Sequence, residues 1–443
     1  MTRPCCTLCR SNPTSIPDCW AFPDSRINPA MRLLKSMWKK KAAEETIMSK
    51  EPNVFWTMVR DGYRRLFITE WSIMVGAVLI GILSVICFAW ARPWGVVGGL
   101  RVWGDWVFYG LGLYSQEPRP VLIDSNSVIT LGLMWGAFAA SLMAKQFAIR
   151  VPPRLELYKG AVGGVLIGIG AALAGGCNVG GFYSAISALS LSGFVMMAGL
   201  LLGARVGLKY LYWEMEHLAP RFAKPPKPAK PSTRDWTPVK PYLGWLLLFC
   251  GYAAFEFYRY QGYVIEGGIL LCGMGFGFIL VRSRFCFARA FREPFMSGEA
   301  AVTQAVIVSL AISILGFMIL KWGGLRGETA YVSPNFGLGG LVGGFIFGVG
   351  MLITGGCGSG TAWRAAEGQV KLMVALVCFT LSNSLTKAFI NASPMVKEWV
   401  GYRVYIPEYL GYRWTLAGML LILGAWYLVV SWNEKTDRFV VDM

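Results

Sequence analysis

Apolar residues occur in long runs separated by short polar stretches. A helix needs about 20 apolar residues to cross a bilayer, with about 17 near the lower limit. Segments 160–174, 242–258 and 338–354 are short by this measure, so some of them are expected to be half-helices. The pattern predicts an all-α polytopic membrane protein with about 9–10 transmembrane segments. The apolar segments lie at about 70–91, 128–147, 160–174, 193–212, 242–258, 264–281, 302–321, 338–354, 370–389 and 412–431.

Two of the short segments repeat one sequence pattern. Residues 160–181 read GAVGGVLIGIGAALAGGCNVGG, and residues 340–361 read GLVGGFIFGVGMLITGGCGSGT, 180 residues later and without a gap. Ten aligned positions are identical, including the Gly-Gly-Cys that ends each apolar run. An internal repeat with a break inside an apolar segment is typical of the substrate site of a transporter.

Basic residues are unevenly distributed among the loops. They are dense in residues 1–69, 213–241 and 282–301, whereas loops 92–127 and 322–337 are near charge balance. Because cytoplasmic loops carry an excess of Lys and Arg, we expect both termini in the cytoplasm. Five segments in each half then predict that the second repeat is inverted relative to the first, so that the two breaks enter from opposite faces.

The predicted organisation has four parts. Residues 1–60 are expected to be a basic, poorly ordered cytoplasmic extension. The two membrane repeats are assigned to 61–258, with a Pro- and Lys-rich linker at 219–241, and to 259–435. Residues 436–443 complete the chain as a cytoplasmic tail.

Composition agrees with a membrane protein, because 55% of the residues are hydrophobic and only 15% are charged. The net charge of +17 could indicate a nucleic-acid partner, but positive loops beside apolar spans explain it better, so no nucleic acid is expected. The single histidine, His217, lies outside the spans. Bis-His haem ligation is therefore excluded, and we expect no metal or cofactor.

The Gly-Gly-Cys breaks have the residue types that an anion site requires. Glycine tolerates positive φ and close backbone approach, and the helix that restarts after each break directs free N–H groups at it. A cysteine adds a soft, polarizable sulfur that suits a ligand carrying sulfur or selenium. Tight helix packing explains one such copy, but two copies at one spacing favour a site. The predicted substrate-binding residues are Gly176, Cys177, Asn178, Gly180, Gly356, Cys357, Gly358 and Gly360.

A further cysteine, Cys286, lies in GFGFILVRSRFCFARAFREPFMSG, residues 275–298. It is either incidental in a positive loop or the first thiol at a cytoplasmic mouth, where the positive field attracts anions. Cys87, in VICFAWARPWG, is a core residue or the counterpart of Cys286 in the first half. Glu367 fits an ion pair with Arg364, three residues earlier, or a position lining the path.

Three stretches together resemble the YeeE/YedE family of bacterial sulfur-compound transporters, in its YedE-like branch. They are AGGCNVGGFYSAI at 174–186, SRFCFARAFRE at 283–293 and TGGCGSGTAWRAAEGQVK at 354–371. The likeness extends over about residues 60–435. It implies a multi-pass protein of the bacterial inner membrane, shaped like an hourglass, with short helices that meet at its centre.

The resemblance also implies a function and a mechanism. Members of the family take up thiosulfate, and their conserved cysteines are thought to pass the ion by S–H···S hydrogen bonds without covalent bonding. Here those cysteines would be Cys177 and Cys357, with Cys286 as the third. The implied partners are thiosulfate or a related sulfur or selenium anion, membrane lipid and a cytoplasmic sulfur carrier of the TusA type.

Two other classes of function compete with a permease. A membrane thiol–disulfide oxidoreductase would need paired cysteines, but the apolar segments contain no Cys-x-x-Cys, and Cys177 could pair with Cys357 only if the two Cα atoms lay within about 7 Å. A passive assembly subunit explains the breaks poorly. The sequence therefore favours a transporter over an enzyme.

Overall fold

The computed structural model describes residues 54–217 and 237–441, and contacts divide the chain into two units, Met1–Tyr63 and Arg64–Met443. In the first unit the described residues form helix α1, Val54–Tyr63. Most of the predicted extension 1–60 and of the linker 219–241 lies outside the described residues.

The described part of the second unit is helical and contains no β-strand. Its helices are α2 (Ile73–Trp90), α3 (Val97–Gly110), α4 (Ser125–Met143), α5 (Arg154–Ala174), α6 (Ser184–Ser187), α7 (Ser192–His217), α8 (Lys240–Tyr260), α9 (Val264–Ser283), α10 (Phe287–Met296), α11 (Ala301–Trp322), α12 (Leu338–Thr354), α13 (Gly358–Ala366), α14 (Val370–Ala392), α15 (Pro394–Val400) and α16 (Ile406–Thr436). Two π-helical stretches complete it, at Arg64–Ile68 and Asn178–Tyr183.

Nine helical segments of the described chain are long and apolar enough to cross a membrane. The predicted all-α polytopic membrane fold is therefore confirmed. Helix α8 is not among the nine, although it packs against α4 and α9. The nine are Ile73–Trp90, Ser125–Met143, Arg154–Ser187, Ser192–His217, Val264–Met296, Ala301–Trp322, Leu338–Ala366, Val370–Ala392 and Ile406–Thr436.

Helices α2 and α9 are antiparallel and define the two ends of the bundle. The Trp71 backbone N–H donates to Arg282 O at 2.8 Å where α2 begins, which we call the proximal end. The Trp90 indole N–H donates to Ile265 O at 3.2 Å where α2 ends, which we call the distal end.

Helices α5 and α12 carry the repeated pattern and start from different ends. Before α5, the Arg150 N–H donates to Gly368 O at the proximal end, while before α12 the Phe336 N–H bonds Tyr402 O at the distal end. The two helices pack closely through glycine, since a Cβ atom on Gly170 would lie 2.6 Å from Gly343 O. Small residues permit this close approach of membrane helices.

Two short helices do not cross the bundle but start inside it. Helix α3 begins after Val96 and returns towards the distal end, where the Tyr258 hydroxyl donates to Leu122 O. Helix α10 begins after Cys286 and returns towards the proximal end, where the Val441 N–H donates to Phe295 O. The hydropathy pattern did not predict either as a separate element.

Candidate functional site

Both repeated helices end at the first glycine of Gly-Gly-Cys. Gly175 has φ +78° and Gly355 has φ +83°, and both lie in the left-handed region. The Gly175 N–H donates to Ala171 O, and the Gly355 N–H donates to Met351 O. Glycine adopts this conformation at little cost, which is why each helix stops there.

The second glycines allow the chain to fold back on itself. A Cβ atom on Gly176 would lie 2.5 Å from Gly181 N, which no real side chain tolerates. A Cβ atom on Gly356 would meet Thr361 Oγ1 at 3.2 Å, a looser approach. The first break is thus the more tightly wound of the two.

Cys177 and Cys357 take the same place at the start of the next helical turn. Each of them is an N-cap residue with an extended backbone conformation, and both are fully buried. The Gly360 N–H donates to Cys357 Sγ at 3.4 Å. Beside the Cys177 thiol lie the backbone N–H groups of Val179, Gly180 and Val96. Each thiol therefore lies among the backbone N–H groups at a helix start, which are the donors that an anion would use.

The two breaks meet in the interior. A Cβ atom on Gly358, the residue after Cys357, would lie 3.0 Å from Cys177 Sγ. The Cys357 thiol is close enough to interact electrostatically with those of both Cys177 and Cys286. The structure therefore brings together the three cysteines selected from the sequence, as free thiols.

Cys286 is reached from the proximal side. It caps the start of α10 and is 2% exposed. It lines a small cavity of ≈ 50 Å³, the proximal pit, with Arg289, Arg292 and Arg364. The Arg364 guanidinium contacts Cys286 Sγ at 3.7 Å through Nη2 and Gly355 O at 2.9 Å through Nη1.

The opposite side of the site opens into a larger cavity of ≈ 360 Å³, the distal pit. Gly175, Gly176 and Gly180 of the first break line it together with Val96. Its walls carry polar and basic side chains that suit an anion: Arg92, Arg101, Asn126, Asn335, Asn383 and Lys387.

Asn178 lies in the wall between the breaks and not at a surface. Its side chain is fully buried, and Nδ2 approaches Met351 Sδ at 3.3 Å. Its Oδ1 atom is buried and has no hydrogen-bond partner among the described residues. An unsatisfied acceptor beside Cys177 can still accept a hydrogen bond from a donor that reaches the break.

Glu367 does not form the expected ion pair with Arg364. Its carboxylate pairs instead with Arg284 Nη1 at 2.7 Å, which frees Arg364 to contact Cys286. Burial raises the pKa of Glu367, and the Arg284 guanidinium acts in the opposite direction. Arg284 also donates to Gln146 Oε1 at 2.7 Å, so this cluster ties the proximal loops together.

Cys87 is not at a break. It is fully buried in α2, where its thiol lies beside that of Cys272. Val96, nine positions after Cys87, is the N-cap residue of α3. It holds the position in α3 that Cys286 holds in α10. No sequence pattern identifies Val96, because a valine in a short loop carries no chemistry of its own.

Comparison with known proteins gives one family. A family profile described as Sulphur transport matches residues 27–206 and 282–441. The chain is 26% identical over 388 residues to the "Probable transporter YedE" of Escherichia coli K12, covering 83% of this chain and 94% of that protein. A protein of the same name in Salmonella typhimurium is 30% identical over 68% of this chain and 77% of its own length. The "Thiosulfate transporter TsuA" of Escherichia coli K12 is 29% identical over 36% of this chain and 46% of its own length.

Proposed function

The chain belongs to the sulphur-transport family, YeeE/YedE, and from this premise we propose that it imports thiosulfate or a related sulfur or selenium anion. It is a multi-pass membrane transporter of sulfur compounds and not an enzyme, so a thiol–disulfide oxidoreductase is set aside. The observation that carries the proposal is the contact between the two breaks, where Cys177 packs on Gly358 between two cavities.

In the proposed path the anion enters the distal pit and reaches the first break. There Arg101 and Lys387 supply positive charge, and the N–H groups beside Cys177 supply donors. The anion then passes Cys357 and Cys286 and leaves through the proximal pit. A thiol is a weak donor with a polarizable sulfur, so it can hydrogen-bond the terminal sulfur of thiosulfate and release it without a covalent bond.

The proposed path is closed at its centre. Cys177 and Cys357 are both fully buried, and the distal and proximal pits do not share a lining residue. Passage therefore requires small movements of the breaks. A helix interrupted by glycine lacks continuous backbone hydrogen bonding at that point, which permits such movement.

The chain path favours an inverted arrangement of the two halves. Helices α2 and α5 begin at the proximal end, and their counterparts α9 and α12 begin at the distal end. Helices α3 and α10 accordingly enter from opposite ends. Such pairs of broken helices, related by an axis in the membrane plane, are typical of secondary transporters.

Orientation follows from charge. The proximal end includes Arg150, Arg284, Arg289 and Arg364, so the positive-inside rule assigns it to the cytoplasm of the bacterial inner membrane. Both termini are then cytoplasmic, and transport from the distal to the proximal pit is import. A cytoplasmic sulfur carrier of the TusA type would receive the anion at the proximal end, and lipid would cover the outer faces.

The experiment that tests the substrate is competition for uptake. Uptake of radiolabelled thiosulfate is measured in cells that lack other thiosulfate importers, with and without expression of this chain. Excess unlabelled selenite, sulfite or sulfate is added as a competitor. We expect chain-dependent uptake that unlabelled thiosulfate suppresses and sulfate does not. Uptake equal to that of cells without the chain would contradict the proposed function.

A further inference from the structure

We propose that the proximal pit is a distinct anion-binding subsite in which Arg364 holds the oxyanion end of the substrate beside the Cys286 thiol. The inference deepens the proposed function and rests on it. It concerns Arg364, which the sequence offers as one partner for Glu367, the alternative being that Glu367 lines the path.

The Arg364 guanidinium is placed as a bridge. Nη1 donates to Gly355 O at 2.9 Å, in the second break, and Nη2 approaches Cys286 Sγ at 3.7 Å, at the start of α10. The guanidinium also lies 5.0 Å from the centroid of the Trp363 ring. Arg364 thus joins the break that carries Cys357 to the short helix that carries Cys286.

The acceptors that Arg364 has are weak for a full positive charge. A carbonyl and a thiol sulfur are both neutral, and Glu367 makes its direct ion pair with Arg284 at 2.7 Å and attracts Arg364 only over a longer distance. No carboxylate of the described chain lines the pit. A guanidinium that faces a cavity without a carboxylate is best balanced by an anion from outside the protein.

A second arginine of the pit has a donor without an acceptor in the described chain. The Arg292 Nε–H group is buried and has no acceptor among the described residues. Arg289 differs, because it pairs with Glu293 at 2.5 Å. The pit therefore offers donors from two arginines, while the third is neutralised.

The size of the pit fits a small anion. Its ≈ 50 Å³ corresponds to roughly three to five water positions, since one water needs about 10–15 Å³ of such volume. A tetrahedral oxyanion of sulfur is in this range. Its oxygens match the planar fork of a guanidinium, while its terminal sulfur can face the Cys286 thiol.

Binding at this subsite would change the contact that closes the pit. An oxygen of the anion replaces Cys286 Sγ at Nη2, because a charged acceptor binds a guanidinium more strongly than a thiol does. The Nη1 bond to Gly355 O remains. The Cys286 thiol is then free to bond the sulfur of the anion.

The test uses the full-length protein in proteoliposomes with the variants Arg364→Gln and Arg364→Lys. Arg205→Gln is the matched control, since Arg205 is an exposed arginine in α7. Two quantities are measured: uptake of radiolabelled thiosulfate, and the rate at which methyl methanethiosulfonate modifies Cys286, followed by mass spectrometry with and without thiosulfate.

In the wild type, thiosulfate should slow modification of Cys286. We expect Arg364→Gln to abolish this protection and to lower uptake about tenfold or more, because the variant loses one charged hydrogen bond to the anion. Arg364→Lys keeps the charge but not the fork, so it should retain uptake at saturation with a raised KM. Arg205→Gln should match the wild type in both measurements.

The possible failures are separable. Suppose that the wild type takes up thiosulfate and that Arg364→Gln shows the same uptake and the same protection of Cys286 as the wild type. This result would overturn the subsite and leave the proposed function standing. Absence of uptake by the wild type would overturn the proposed function. If Arg364→Gln does not fold, Arg364→Lys decides, and a wild-type KM in that variant overturns the subsite.

Discussion

The Cys177 side chain packs directly against the backbone of Gly358: a Cβ atom on Gly358 would lie 2.9 Å from Cys177 Cβ and 3.0 Å from its Sγ. Two residues 181 positions apart in sequence thus form a close contact between the two breaks. Any side chain at 358 must displace the first thiol of the proposed path.

Gly358→Ala should therefore impair transport by moving Cys177. Overpacking of this kind costs about 1–3 kcal/mol in a well-packed interior. We expect a large loss of thiosulfate uptake with a modest loss of thermal stability. Gly424→Ala is the control, because Gly424 lies in α16 with open space around it and should retain uptake. Wild-type uptake by Gly358→Ala would show that this contact does not shape the path.

The two helix-ending glycines should differ in their tolerance of alanine. Both have positive φ, so alanine costs about 1–2 kcal/mol at either position. At Gly175 the new Cβ would also meet Asn335 Oδ1 at 2.5 Å, whereas at Gly355 nothing lies within 4 Å. Gly175→Ala should unfold at a lower temperature than Gly355→Ala in a detergent thermal scan. The reverse order would mean that Asn335 does not restrain the first break.

The basic walls of the distal pit should govern the apparent affinity for the anion. Arg101→Gln and Lys387→Gln remove charge near the entrance without touching the thiols. We expect a raised KM for thiosulfate in each, with little change in the rate at saturation, and a smaller difference at high ionic strength. Arg413→Gln, an exposed arginine of α16, is the control. A KM unchanged by both pit variants would exclude this electrostatic role.

The sequence predicted the breaks well because their chemistry is local. A helix that runs into Gly-Gly-Cys twice indicates a turn in each copy, and the helices do end at Ala174 and Thr354. The start of α5 was less visible, since Arg154 precedes the apolar segment predicted from 160. Hydropathy reports the residues that face lipid, and the first turns of α5 carry charged side chains.

Other parts of the site could not be predicted from the sequence. Helices α3 and α10 are short, Val97–Gly110 and Phe287–Met296, and charged side chains interrupt both, so neither forms an apolar run long enough to be recognised. The pairing of Glu367 with Arg284 joins residues 83 positions apart and depends on how α9 and α13 pack. Glu367 is the carboxylate nearest to Arg364 in sequence, whereas the fold places the Arg364 guanidinium beside Cys286.

The most direct test of the central claim is the initial rate of radiolabelled thiosulfate uptake by Cys177→Ala and Cys357→Ala, each compared with wild type at equal expression in the membrane. Cys250→Ala is the control, because Cys250 is an exposed cysteine of α8 outside the path. The proposed thiol relay predicts uptake at background for both path variants and wild-type uptake for the control. Wild-type uptake by both path variants would contradict the relay.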